Sequence, residues 1–128
     1  MIHGVHLLLY SRDPEADRTF FRDKLNFGSV DIGDGWMIFG LPPTEMGIHP
    51  GDGSFVQKHA DEMLTGCVIY LMCDNLRETV DELLSKGVAT TAIQEAEWGI
   101  TTTVGLPSGG GVGLYQPLHQ TALHLSGQ

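Results

Sequence analysis

The chain repeats itself, and the repeat limits the folds open to it more than any single motif does. Residues 4–13, GVHLLLYSRD, form an apolar run ending in aspartate, followed by the helical stretch PEADRTFFRDKLNF and Gly28. Residues 66–74, GCVIYLMCD, form a second such run, followed by NLRETVDELLSK and Gly87. Asp13 and Asp74 occupy equivalent places as helix N-caps, with Pro14 at the permitted first helical position; in the second copy Asn75 and Glu78 offer an alternative capping box. Leu76, Val80, Leu83 and Leu84 follow helical spacing and reach a glycine stop.

After each helix the texture turns to strands broken by Gly and Pro. The first copy reads SVDIG, WMIFGLPP and TEMGIHP; the second reads VATTAI, GITTTVGLPSGG and GVGLYQP. GLPP matches GLPSGG, and GIHP matches GLYQP. The chain is therefore expected to be α+β: two tandem βαβββ modules, at about 2–50 and 66–117, joined by a loop at 51–65 and followed by a short C-terminal tail. Residues 1–128 form one domain of two small modules, since domains cluster at roughly 100–150 residues.

Alternation along each strand sorts residues by face. Val5, Leu7 and Leu9 are expected to pack on the helices, leaving His6, Leu8 and Tyr10 on the other side. Met46 and Ile48 oppose Gly47 and His49. Cys67, Ile69, Leu71 and Cys73 oppose Val68, Tyr70 and Met72. Ile100, Val104 and Leu106 oppose Thr101 and Thr103, while Val112 and Leu114 oppose Gly113 and Tyr115. The second face collects His, Tyr, Thr, Met and Gly in place of the Lys, Glu and Asp of a solvated surface, which suits the lining of a ligand cavity.

Composition narrows the partners. Sixteen acidic side chains against seven basic ones give a formal charge of −9, which disfavours nucleic acid and anionic lipid. No stretch approaches the roughly 20 apolar residues of a membrane helix, and the opening residues MIHGVHLLLYSRD lack the basic head of a signal peptide. A cytoplasmic protein is expected. Cys67 and Cys73 lie on one apolar run, about 20 Å apart if extended, and read as buried free thiols. The run LPSGGG has no following helix and no Lys-Ser/Thr pair, so it reads as a glycine-rich hairpin and not a phosphate loop.

These residues resemble the vicinal oxygen chelate superfamily, which includes glyoxalases, extradiol dioxygenases and bleomycin-resistance proteins. The resemblance spans about residues 2–117. It rests on the paired modules, on VHLLLYSRDPEADRTFFRDKLNFG as an opening strand and helix, and on GLYQP as a closing ELYQP-type strand. It implies a curved mixed sheet around a cavity, a homodimer, and a divalent metal (Zn, Fe, Mn or Ni) held by one side chain from each of four strands. The first two positions fall on His6 and His49. The fifth-strand position falls on Val68, with Tyr70 as its alternative, and the eighth-strand glutamate is replaced by Gly113. Only a two-histidine half-site remains, where zinc and iron sites normally take three or four protein ligands.

Two functions follow. The first is a glyoxalase-like or dioxygenase-like enzyme: His6 and His49 hold the metal, and Glu97 or Tyr115 moves a proton. The second is a metal-free protein that binds or sequesters a small molecule, as bleomycin-resistance proteins do. Under either, Tyr10, Trp36, Tyr70, Trp98, Thr101, Thr103 and Tyr115 are the expected substrate-binding residues, the aromatic ones through stacking and cation–π contact. His3, His59, His119 and His124 are expected to be solvated, with His119 able to reach the cavity mouth.

Overall fold

The computed structural model describes residues 1–125. Two helices and eight short strands follow in order: α1 (Pro14–Asp23), β1 (Ser29–Asp31), β2 (Met37–Phe39), β3 (Val56–His59), β4 (Glu62–Thr65), β5 (Tyr70–Met72), α2 (Leu76–Ser85), β6 (Gln94–Ala96), β7 (Gly99–Gly105) and β8 (Gly111–Pro117). The α+β class expected from the repeat is what the chain adopts.

The second module closes as a complete βαβββ unit. Its sheet has the order β5-β8-β7-β6, with β5 parallel to β8 and the remaining pairs antiparallel. Residues 106–110 form the expected glycine-rich turn between β7 and β8, with Leu106 N–H donating to the Gly110 carbonyl at 2.8 Å. Helix α2 begins at Asn75 and not Asp74: the Asn75 side chain accepts from Glu78 N–H at 3.2 Å. The Gln116 amide oxygen on β8 accepts a further free donor, Leu76 N–H, at 2.9 Å, so the glutamine of GLYQP fastens the helix start to the sheet. Gly87 ends the helix in the left-handed region at φ 78°.

Leu76 and Leu83 from α2 pack with Val88, Val104, Val112 and Leu114 to form the buried core, as alternation requires. Phe20 from α1 joins the same core, so the first helix is packed against the second module. Asp13 caps α1 by accepting from Ala16 N–H. The helices also terminate on each other: Lys24 Nζ donates to the Lys86 carbonyl at 3.0 Å, and Lys86 Nζ to the Lys24 carbonyl at 3.2 Å. An ammonium group at each C-terminus suits the partial negative charge there. A buried carboxylate provides a second tie. Asp17 accepts from Ser11 Oγ and Ser108 Oγ, each at 2.6 Å, and from Ser108 N–H at 3.1 Å.

The first module departs from the repeat. Only β1 and β2 pair within it, and residues 2–10 and 41–50, expected as its outer strands, make no ladder. In the second module the corresponding strands are β5 and β8, which pair directly in parallel. In the first, Val5, Leu8, Leu9, Tyr10, Met46 and Ile48 remain exposed, so no burial within the chain drives the pairing. Residues 51–65 are not a plain loop. They carry the antiparallel β3–β4 hairpin, turned by Ala60 and Asp61 at positive φ. Cys67 is exposed, because β5 does not begin until Tyr70, while Cys73 is partly buried as expected.

Candidate functional site

The face of the second sheet turned away from α2 carries the chemistry. Register places Tyr70 beside Gly113 and Gly113 beside Thr103; the next row runs from Met72 through Tyr115 to Thr101 and Gln94. Side chains in register share a face, so Tyr70, Thr101, Thr103 and Tyr115 come together as expected. A small cavity of about 100 Å³ opens among Tyr70, Thr91, Gln94, Thr101 and Thr103.

Two glycines make room for the aromatic rings. A Cβ at Gly113 would stand 2.1 Å from Tyr70 Cδ1, and one at Gly99 would stand 2.2 Å from Tyr115 Cε2. Each tyrosine therefore lies flat over a neighbouring strand where any larger residue would displace it. The rings then touch one another: Tyr70 and Tyr115 meet edge-on with centroids 5.8 Å apart, and Trp98 lies 5.7 Å from Tyr115. The Tyr115 hydroxyl donates to the Trp98 carbonyl at 3.2 Å, which fixes the ring at the mouth of the β6–β7 turn.

Sequence reasoning missed Glu45. Its carboxylate is largely covered; one oxygen accepts from Ala122 N–H at 2.8 Å and the other lies 3.9 Å from His119 Nε2. His119 in turn stacks on Tyr115, with centroids 5.8 Å apart. Burial, and secondarily the Glu45 charge, raise the Tyr115 phenol above its ordinary value. Alternation along TEMGIHP carried a signal for Glu45, since it puts this residue on the side of Gly47 and His49.

Other expected site residues lie elsewhere. Tyr10 hydrogen-bonds His59 of the β3–β4 hairpin, which is thus engaged and not simply solvated. Trp36 lies under the Arg18 guanidinium, 4.6 Å from the ring centroid. Glu97 is exposed in the turn between β6 and β7. His6 and His49 are exposed on the unpaired segments, and His49 Nδ1 lies 2.8 Å from the Pro50 carbonyl.

The residues present do not fit the divalent metal that the sequence resemblance implies. The second module supplies Val68 or Tyr70 and Gly113 at its two ligand positions, Tyr70 being the one in register with Gly113, and the Tyr70 ring fills the space where a longer side chain at 113 would reach. Among the described residues no group of three or more His, Cys, Asp or Glu is placed to hold a metal ion. His6 and His49 are left without a third His, Cys, Asp or Glu that joins them among the described residues.

The second module is a βαβββ unit, a helix-backed sheet with an aromatic open face. Solved structures share it. The chain is similar to TnmS3, an antibiotic binding protein from Streptomyces sp. CB03234, at 21% identity over 91% of this chain and 97% of that one, with a TM-score of 0.54. It is also similar to a lactoylglutathione lyase from Agrobacterium tumefaciens, at 15% identity over 89% and 92%, with a TM-score of 0.57. A glyoxalase/bleomycin resistance protein/dioxygenase superfamily member from Sphaerobacter thermophilus DSM 20745 aligns at 21% identity over 90% and 98%, with a TM-score of 0.56. No family model and no curated protein matches the sequence. The chain thus has the glyoxalase/bleomycin resistance/dioxygenase fold, as the vicinal oxygen chelate resemblance implied. That fold hosts both catalysts and binding proteins, so function is argued from the site.

Proposed function

We propose that this chain is a metal-independent small-molecule binding protein whose ligand lies against Tyr70, Trp98 and Tyr115. The observation that carries the reading is the Tyr70 ring seated over Gly113. The position that would complete a metal shell is occupied by an aromatic wall, and aromatic walls stabilise planar ligands by stacking and exclusion of water. Likeness to an antibiotic binding protein supports this reading. Among the described residues no helix is long and apolar enough to cross a membrane, and two unpaired cysteines favour a reducing, cytoplasmic location.

The working form in this proposal is a homodimer. The chain exposes 9658 Å² of surface, whereas a compact monomer of 13.9 kDa exposes about 6,700 Å². An excess of about 3,000 Å² per chain, about 6,000 Å² over two chains, is more than enough for the roughly 2,000–5,000 Å² total that obligate dimers bury. Its apolar part lies on the unpaired segments, at Val5, Leu8, Leu9, Met46 and Ile48, and on the hairpin, at Val56, Met63 and Leu64. A two-stranded hairpin exposed on both faces is marginal alone and gains stability by docking. The second copy would cover the open face of the sheet and enclose the ligand.

The competing reading is a glyoxalase-like or dioxygenase-like enzyme with a divalent metal at His6 and His49 and with Glu97 or Tyr115 as proton carrier. Likeness to a lactoylglutathione lyase supports it, but the raised phenol of Tyr115 keeps its proton at neutral pH and makes a poor base. Titration of planar aromatic compounds against Trp98 fluorescence, with and without EDTA, tests the proposal. Saturable quenching unchanged by EDTA is expected. Loss of binding on chelation, restored by added metal, would transfer the function to the metal-dependent reading.

A further inference from the structure

The chain does not leave the aromatic face when β8 ends; it continues past it and sets a side chain on it. Residues 118–125 follow β8, and none of them is buried or joins a strand. Two backbone donors tie this segment down. Leu118 N–H donates to the Trp98 carbonyl at 3.0 Å, the same oxygen that accepts from the Tyr115 hydroxyl. Ala122 N–H donates to Glu45 Oε1 at 2.8 Å. Between the two ties, His119 lies against the Tyr115 ring.

That side chain stands where a stacked ligand would go. Tyr70 and Trp98 meet the Tyr115 ring at 61° and 60°, whereas the His119 imidazole is tilted by only 37°, with centroids 5.8 Å apart. Of the three rings, His119 comes nearest to stacking. Because Tyr115 already lies over Gly99, the imidazole and a planar ligand compete for what remains of the phenol. The leucines of the segment, Leu118, Leu123 and Leu125, are exposed. A segment held by a few hydrogen bonds, with little apolar burial behind them, opens far more readily than the core.

From this geometry we infer that residues 118–125 form a displaceable strap, latched by Glu45, that competes with the ligand for Tyr115. While the latch holds, His119 stands on the ring. Release of Ala122 N–H from Glu45 lets His119 swing away and completes the surface of Tyr70, Trp98 and Tyr115. The latch joins the two halves of the chain, since Glu45 lies between β2 and β3 and Ala122 lies beyond β8. Apparent affinity is then set by the unlatched fraction of the protein. This inference rests on the small-molecule reading above.

Binding of N-phenyl-1-naphthylamine to the full chain tests it; this neutral, planar fluorophore brightens in apolar surroundings. Glu45→Ala removes the acceptor of the latch, and Ala122→Pro removes the donor with no change of charge. Each variant should bind the probe about three- to tenfold more tightly than the wild type, the span that one net hydrogen bond controls. In hydrogen exchange read by mass spectrometry, saturating probe should speed exchange of the wild-type peptide that contains Leu118 and Ala122. Unchanged or weaker binding in either variant, or slower exchange of that peptide with probe bound, overturns the strap and leaves small-molecule binding standing. Failure of all three proteins to bind the probe also overturns the strap; if in addition no planar compound quenches Trp98, the small-molecule reading falls with it.

Discussion

The Tyr70 ring lies directly over Gly113 on the adjacent parallel strand, in space that even a methyl group at 113 would contest. Gly113→Ala should therefore cost about 2 kcal/mol in urea denaturation, the range for overpacking a fixed ring. In a Tyr70→Ala background most of the cost should vanish, because the three atoms nearest to that methyl group all belong to the Tyr70 ring. The same penalty in both backgrounds would mean that the ring does not depend on the glycine.

Asp17 gives a second test, of how the modules are held together. Its carboxylate accepts from Ser11 and Ser108 and is 6% exposed. Asp17→Ala strands the two hydroxyls and one amide, and should lower stability by about 2–3 kcal/mol. Ser108→Ala should cost about 1 kcal/mol alone and almost nothing once Asp17 is gone. Additive losses would show that the groups do not act as one node.

Thiol chemistry follows from burial. Desolvation raises the Cys73 thiol, whereas Cys67 is exposed. Iodoacetamide at pH 8 should label Cys67 first, with Cys73 protected until the chain unfolds, as read by peptide mass spectrometry. Cys73 and Tyr115 both hold their protons more tightly folded than unfolded. The stability they contribute is complete below the ordinary thiol and phenol values of about 8.5 and 10, and falls as pH rises through the raised ones. Stability that increases above pH 9 would contradict this.

Assembly is tested by mass. Light scattering at micromolar concentration should give twice 13.9 kDa for the wild type. Charges placed on the exposed segments, as in Leu8→Glu/Ile48→Glu, should give a monomer with α2 and its core intact by circular dichroism. A monomeric wild type would remove the dimer from the account.

The second module was legible residue by residue because its burial is local. The alternation that put Leu71, Val104, Val112 and Leu114 on one face and Tyr70, Thr101 and Tyr115 on the other reports a sheet covered by its own helix. The first module's outer segments are equally apolar, but Val5 and Ile48 remain exposed among the described residues, so periodicity alone could not supply a ladder. Tyr10 and Trp36 were drawn toward His59 and Arg18 by contacts that no spacing rule encodes. Glu45 escaped notice because alternation along TEMGIHP gives its side of the segment and not its partners, which come from the returning C-terminal segment at His119 and Ala122.

Metal content is the most direct measurement of the central claim. Protein purified without nickel resin or chelator, and analysed by inductively coupled plasma mass spectrometry, should hold no stoichiometric Zn, Fe, Mn or Ni and should match the His6→Ala/His49→Ala variant. Near one metal per chain in the wild type, absent from that variant, would contradict a metal-independent site.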